Sequence, residues 1–275
     1  LPDILPVLAL RNAVLFPGTV YPITIGREKS IRLIHDAEKN GFFIGAVPQI
    51  DVLVEDPQKE DLNQYGTVAK IIKTLEMPDG TITAILQSFK RLELDAVIGY
   101  EPYITARVHY LDDVLVNDKD ADLKGITVAL KDKATQIIKN SSFATKEAVA
   151  ALKSIDNFSF LVNFIATTID VDNFDDKMSL LQYDDMKVRS MKLLTLLDSQ
   201  LELAKIKQEI NQKVKQEIDQ QQREYYLNNQ LRTIQEELGM DDAEEFDRFR
   251  ERAAAKKWPD AIAVTFEKEL AKLEK

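Results

Sequence analysis

"GTVAKIIKTLEMPDGTITAILQSF", residues 66–89, decides the class of the fold. Two runs rich in β-branched residues, 66–77 and 81–89, meet at Met77-Pro78-Asp79-Gly80. Proline presets φ and glycine accepts positive φ, so this order predicts a hairpin between antiparallel strands. Working outward, "LPVLAL" (5–10), "TVYPITI" (19–25), "FFIGAV" (42–47) and "YITARVHYL" (103–111) are short runs of the same kind, bounded by Pro, Gly, Asp or Asn. Pro22 inside the second of them argues for an edge strand or a bulge. "SIRLIHDAEKNG" (30–41) reads as one helix, with Ser30 as N-cap and Gly41 as its end. Six strands and one helix imply a small, mainly antiparallel barrel or sandwich over residues 1–115.

The remainder changes period. Eight of the nine glycines lie at or before Gly125 and eight of the nine prolines at or before Pro102. Residues that punctuate strands but interrupt helices are thus confined to the first part, and the second should be helical. Segments 121–142, 145–155, 157–169 and 175–185 read as short helices separated by capping residues, a bundle over 120–204 with one shared core. Residues 187–238 then contain neither Gly nor Pro, and 52 helical residues would run roughly 78 Å. The expected helix starts in the bundle and projects from it, and 240–275 begins a further helical segment. The fold class is α+β.

Composition along the long helix locates its exposed part. Nine of the seventeen positions from Val188 to Ala204 are apolar, but only Ile206, Ile210, Val214 and Ile218 among the twenty from Lys205 to Glu224. Four-residue spacing drifts about 40° per step, so no sustained coiled-coil seam forms and the middle should be solvated. In "QREYYLNNQLRTIQEELG" (222–239) the spacing again holds one face, with Leu227, Leu231, Ile234 and Leu238, just after Tyr225 and Tyr226. This end is a candidate helix contact: Tyr225, Tyr226, Leu227, Leu231 and Ile234. The plainer alternative has it packing on an adjoining domain of the same chain.

The 275 residues are 45% hydrophobic and 30% charged, a globular balance rather than a disordered or membrane one. A net charge of -10, and 11 Lys+Arg against 15 Asp+Glu in residues 1–112, oppose attraction of nucleic acid or an anionic membrane. The absence of cysteine excludes disulfide and thiolate chemistry and fits a cytoplasmic location. Both ends read as cut.

Three segments carry a family resemblance: "LPVLALRNAVLFPGTVYPITIGREKSI" (5–31), "GTVAKIIKTLEMPDGTITAILQSFKRLEL" (66–94) and 222–239. Together they resemble the amino-terminal region of Lon, the ATP-dependent protease, with gaps from Leu5 to about Gly239. The resemblance implies a PUA-like barrel, a bundle with a long helix, and then an ATPase module and a Ser-Lys peptidase domain in a hexamer. It implies substrate recognition and ring organisation for this region, with misfolded and regulatory proteins as substrates. ATP and magnesium are implied for the full-length parent and no cofactor for this fragment. Apolar strand ends at Leu15, Phe16 and Pro17 become a candidate substrate surface. Asn228 and Asn229 stand where charged residues are commoner in the family.

A search for chemistry agrees with a non-catalytic fragment. No phosphate loop G-x-x-x-x-G-K-[ST] and no G-x-S-x-G elbow occur, and no serine can be paired with a lysine by motif. His35 and His109 read as surface or half-buried residues rather than metal ligands. The acidic run 118–125 fails as a calcium loop, with Leu123 where glycine is needed and Ala129 where glutamate is needed, and reads as a linker. Asp175-Asp176 and Asp184-Asp185 suit helix starts. Two other functions are open: a freestanding protein-binding adaptor and, against its charge, an RNA-binding barrel.

Overall fold

The computed structural model describes residues 1–117, 120–140, 146–237, 242–256 and 258–273. Six strands share one sheet: β1 (Ile4–Leu10), β2 (Val20–Ile25), β3 (Ile44–Pro48), β4 (Tyr65–Glu76), β5 (Ile82–Gly99) and β6 (Thr105–Leu111). Their order is β2-β5-β4-β3-β1-β6, and β5 also pairs β6. That second pairing closes five strands into a ring and leaves β2 held by β5 alone. All neighbours are antiparallel except β1 and β3.

Local chemistry explains the main features of the barrel. The hairpin forms at 77–80, where the Met77 amide donates to the Thr81 carbonyl at 2.9 Å and Gly80 sits at φ 83°. Pro22 lies on the edge strand, as expected. The Ser88 amide donates to the Thr19 carbonyl, so by alternation residues 20, 22 and 24 face the open edge, where a missing N–H breaks no ladder bond. Gly66 is required by close approach: a Cβ there would stand 2.7 Å from the Ala46 carbonyl oxygen.

Three sequence expectations change. β5 continues ten residues past Phe89, because register shifts at Leu94/Ala96 and Val97/Gly99 bend it so that it can pair β2, β4 and β6. Its charged residues Lys90, Arg91, Glu93 and Asp95 had obscured the alternation. Helix α1 (Glu28–Asn40) starts before Ser30, with Arg27 at the N-cap, since Gly26 ends β2 and Glu28 places negative charge in the first turn. The helix expected over 175–185 stops early, because Leu180 and Leu181 turn into the helical core as a 3-10 turn.

The helical part comprises α2 (Leu123–Asn140), α3 (Lys146–Ser154), α4 (Phe158–Thr168), α5 (Phe174–Ser179) and the 52-residue α6 (Met186–Glu237). Asn157 caps α4 by accepting from the Phe160 amide at 2.8 Å. Asp185 Oδ1 accepts from the Lys187 and Val188 amides at the start of α6. The first two residues of the 118–125 run lie outside the described residues. Asp120 and Asp122 both pair with Lys187, at 2.8 and 2.9 Å, which pins the linker. Ile126, Leu130, Leu161, Ile165, Leu181, Leu193 and Leu197 share one apolar cluster.

The chain divides into two compact units, Leu1–Ile206 and Lys207–Lys275. Within the first, residues 14–19 bolt barrel to bundle. Leu15 packs in the barrel cluster, whereas Val14 and Phe16 pack in the helical cluster. The polar atoms of this segment are also taken: Thr67 Oγ1 donates to the Leu15 carbonyl at 2.6 Å and the Phe16 amide to Thr167 Oγ1 at 3.1 Å. A second bolt is ionic. Fully buried Arg91 on β5 donates to Asp113 at 2.7 Å, to Asp184 at 2.6 Å and to the Leu181 carbonyl at 2.6 Å. Buried Arg189 on α6 reaches the same Asp113 oxygen at 2.7 Å. Burial alone would push the Asp113 carboxyl up, but its bonds to Arg189 and Arg91 leave it below the usual carboxylate range. In the second unit, α7 (Asp242–Ala254) and α8 (Asp260–Leu273) follow, and the Trp258 and Phe266 rings meet edge-on at 5.2 Å.

Candidate functional site

Leu15 and Phe16 cannot serve as the expected substrate surface. They are 1% and 0% exposed, and Pro17 is half-buried with its carbonyl held by Asn163. The sequence showed them as apolar but not which way they face, and the junction between barrel and bundle takes both.

The exposed apolar surface of the barrel lies elsewhere, on the outer face of β2, β5 and β4. Ile23, Ala84 and Leu86 point into the core, so their neighbours Val20, Pro22, Ile85 and Phe89 alternate outward. Pro22 stands opposite Ile85. Ile72 faces solvent by alternation from buried Ile71, and the register shift between Ile71 and Lys73 leaves Lys73 on the same outer side, opposite Ile85. Ile72 is 54% exposed, Val20 52% and Phe89 41%. The Phe89 ring meets Phe43 edge-on at 5.6 Å, and Lys70 Nζ lies 5.8 Å from the Phe43 centroid. Leu75 and Met77 extend the exposure toward the hairpin tip. Sequence reading missed this face because Ile71 and Ile72 belong to one apolar run, which does not say which of the two meets water.

A groove of about 650 Å³ opens between β1, β2 and the start of α1. Val7, Ala9, Ile23, Ile25, Leu33 and Ile104 form apolar walls, and Arg11, Arg27, Lys29, Glu28, Glu55 and Asp56 form the rim. The rim cations are engaged. Arg11 pairs with Glu55 at 3.0 Å, Lys29 with Glu101 at 2.8 Å and Asp56 at 3.2 Å, and Arg27 donates to the Ala9 carbonyl at 2.6 Å and Gln49 at 2.9 Å. Burial draws the Arg27 guanidinium down from its ordinary range, while the bonds to Glu101 and Asp56 raise Lys29. One rim donor is left over: the Arg11 Nε is buried and has no acceptor among the described residues.

The tyrosine end of α6 is exposed throughout. Tyr225, Tyr226, Leu227, Leu231 and Ile234 are each more than half exposed, while Leu238 lies outside the described residues. The Tyr226 hydroxyl accepts from Gln230 at 2.8 Å, and Arg232 pairs with Glu236. His35 on α1 and His109 on β6 are both exposed.

Comparison with known proteins places this geometry. Residues 4–199 match the family model described as the ATP-dependent protease La (LON) substrate-binding domain. The chain is 43% identical over 274 residues to a Lon protease of Flavobacterium johnsoniae, covering 99% of this chain and 33% of that protein. It is 38% identical over 275 residues to a Lon protease of Cytophaga hutchinsonii, covering 100% of this chain and 34% of that protein. It therefore spans about a third of the length of the curated relatives it matches. The solved N-terminal domain of a Mycobacterium avium complex Lon protease shares the fold, with a TM-score of 0.56 at 17% identity over 71% of this chain and 98% of that one. The chain belongs to the Lon substrate-binding domain family.

Proposed function

We propose that this chain is the substrate-recognition and oligomer-organising region of an ATP-dependent serine protease, and that the outer face of β2, β5 and β4 holds unfolded polypeptide. Val20, Ile72 and Phe89, exposed on one face of the sheet, with Phe43 against Phe89, carry the reading, since exposed apolar side chains gathered on one face of a folded domain mark a binding surface. Folded proteins bury the side chains that such a patch would accept, whereas unfolded ones present them. Transient contacts of small area give micromolar or weaker binding, which permits release to a downstream active site. The family description supports a protein substrate and an ATP-dependent parent. Hexamer formation, ATP and magnesium binding outside this chain, a cytoplasmic location and a role in quality control and stress response belong to the same proposal. None of the described helices is long and apolar enough to cross a membrane.

The test is fluorescence anisotropy with labelled α-lactalbumin, native against reduced and carboxymethylated. The 275-residue chain should prefer the unfolded form, and Ile72→Ser with Phe89→Ala should weaken that binding about tenfold, the loss of one modest anchor. Equal affinity for the two forms, or no effect of the double variant, would remove this face from the function.

A further inference from the structure

We infer that Lys70 and Lys73 on β4 give the outer face a charge preference, so that it takes apolar segments flanked by Asp or Glu over segments flanked by Lys or Arg. The inference rests on the polypeptide-binding reading above and adds a specificity that apolar side chains alone do not supply.

Register puts the two ammonium groups beside the apolar side chains. Across the three strands, Val20 stands opposite Gln87 and Gln87 opposite Lys70; in the next outward row Pro22 stands opposite Ile85 and Ile85 opposite Lys73. Directly opposed residues have Cβ atoms about 5 Å apart, so both lysines lie within reach of a segment that covers their rows. The row beyond, Thr24, Thr83 and Leu75, is uncharged. Ile72 lies between the lysines in sequence and is exposed like them. Lys70 also leans toward the aromatic pair, with its Nζ 5.8 Å from the centroid of Phe43, the ring that meets Phe89.

Other cations of the barrel are already engaged. Lys90 pairs with Asp112 at 2.6 Å, Arg11 with Glu55, and Lys29 with Asp56 and Glu101, whereas neither Lys70 nor Lys73 is in an ion pair among the described residues. Glu38 reaches β4 from α1, but it accepts from the Thr74 hydroxyl, on the residue opposite inward Ala84. The three rows thus hold two lysines and no carboxylate, in a chain of net charge -10. That overall charge repels an acidic segment at a distance, but the screening length at physiological salt is about 8 Å, so the charges in contact with the segment outweigh the remainder. The same lysines oppose a basic segment, and selection therefore works by rejection as well as attraction. Both side chains are solvated, which limits the effect to roughly three- to tenfold in affinity for the two together.

Three peptides decide it, each carrying a neutral fluorophore and titrated with the whole 275-residue chain while anisotropy is followed. All share a central Leu-Phe-Leu, flanked on both sides by Glu, by Ser or by Lys. At about 50 mM salt the Glu peptide should bind roughly three- to tenfold tighter than the Ser peptide and the Lys peptide weaker than both, and at about 500 mM the spread should close. Lys70→Gln with Lys73→Gln should remove this order, and Lys70→Glu with Lys73→Glu should invert it, a result that loss of folding cannot mimic. Equal affinities for the three peptides, or an order unchanged in either double variant, would overturn the inference while leaving the outer face as an apolar binding surface. Binding of none of the three would count against the outer face itself, and against this inference with it.

Discussion

Lys177 shows how one buried charge is accommodated. It is 5% exposed, and its Nζ donates to the Thr167 and Ile169 carbonyls at 3.1 and 2.8 Å, serving groups that the end of α4 leaves unpaired. No carboxylate is bonded to it in these contacts. Burial therefore draws the ammonium down to about 8, with Asp170 offsetting only part of the shift. The folded pKa lies below the unfolded value, so the unfolded chain binds more protons between pH 8 and about 10, and stability should rise with pH across that window. The gain should be about 2 kcal/mol between pH 7 and pH 10, and Lys177→Met should abolish the rise. Urea melts of both proteins from pH 7 to 10 provide the check, and parallel profiles would contradict it. Asp113 has the opposite sense. Its folded pKa is depressed, so its stabilisation is present above the unfolded value of about 4 and is lost as pH falls below it. Asp113→Asn would leave Arg91 and Arg189 short of their shared anion inside the protein and should cost about 3 kcal/mol or more at pH 7. A loss under 1 kcal/mol by urea denaturation would show that Asp184 and the carbonyls suffice.

Elements divide by where their apolar residues point. The segment at 14–19 is short, yet its alternating side chains enter two different cores, so Phe16→Ala should cost about 3 kcal/mol or more and loosen barrel from bundle. Differential scanning calorimetry would register it as a lowered or split transition, and an unchanged one would mean that the ionic bolt alone joins them. In α6 the outcome reverses. Leu193, Leu196 and Leu197 are buried, but every residue from Lys205 to Glu237 is exposed. Tyr225→Ala with Tyr226→Ala should leave the helicity and stability of this chain within about 0.5 kcal/mol, because neither ring is buried. In a full-length protein the same pair should weaken assembly about tenfold or more if the rings anchor contacts between subunits. Sedimentation against concentration measures this, and assembly equal to the parent's would reduce the tyrosines to surface residues.

For the molecule as a whole, the absence of tertiary burial along 205–237 predicts where it opens first. A helix with no packed face keeps only marginal stability of its own, so trypsin should cut first among the lysines and arginines of that stretch and leave a resistant fragment containing the barrel and bundle. Mass spectrometry of early products decides it, and first cuts inside the barrel would contradict the ranking.

Much of this architecture was legible because local rules settle it. The order Pro78-Asp79-Gly80 needs only backbone preferences to make a hairpin, Pro22 needs only its missing N–H to mark an edge, and 52 residues without Gly or Pro need only helix propensity to make α6. The Lon resemblance was legible for the same reason, residing in contiguous segments. The surfaces were not. Leu15 and Phe16 read as a candidate substrate surface but serve as a bolt, Ile71 and Ile72 belong to one apolar run but face core and water respectively, and the strand that reads as ending at Phe89 continues through buried Arg91. The chain by itself determined which segments become strands and helices, since that follows from neighbours in sequence. Which side of each element meets water followed only from folding, because register, bulges and ion pairs such as Arg91 with Asp184 join residues too distant in sequence for any local pattern to reveal.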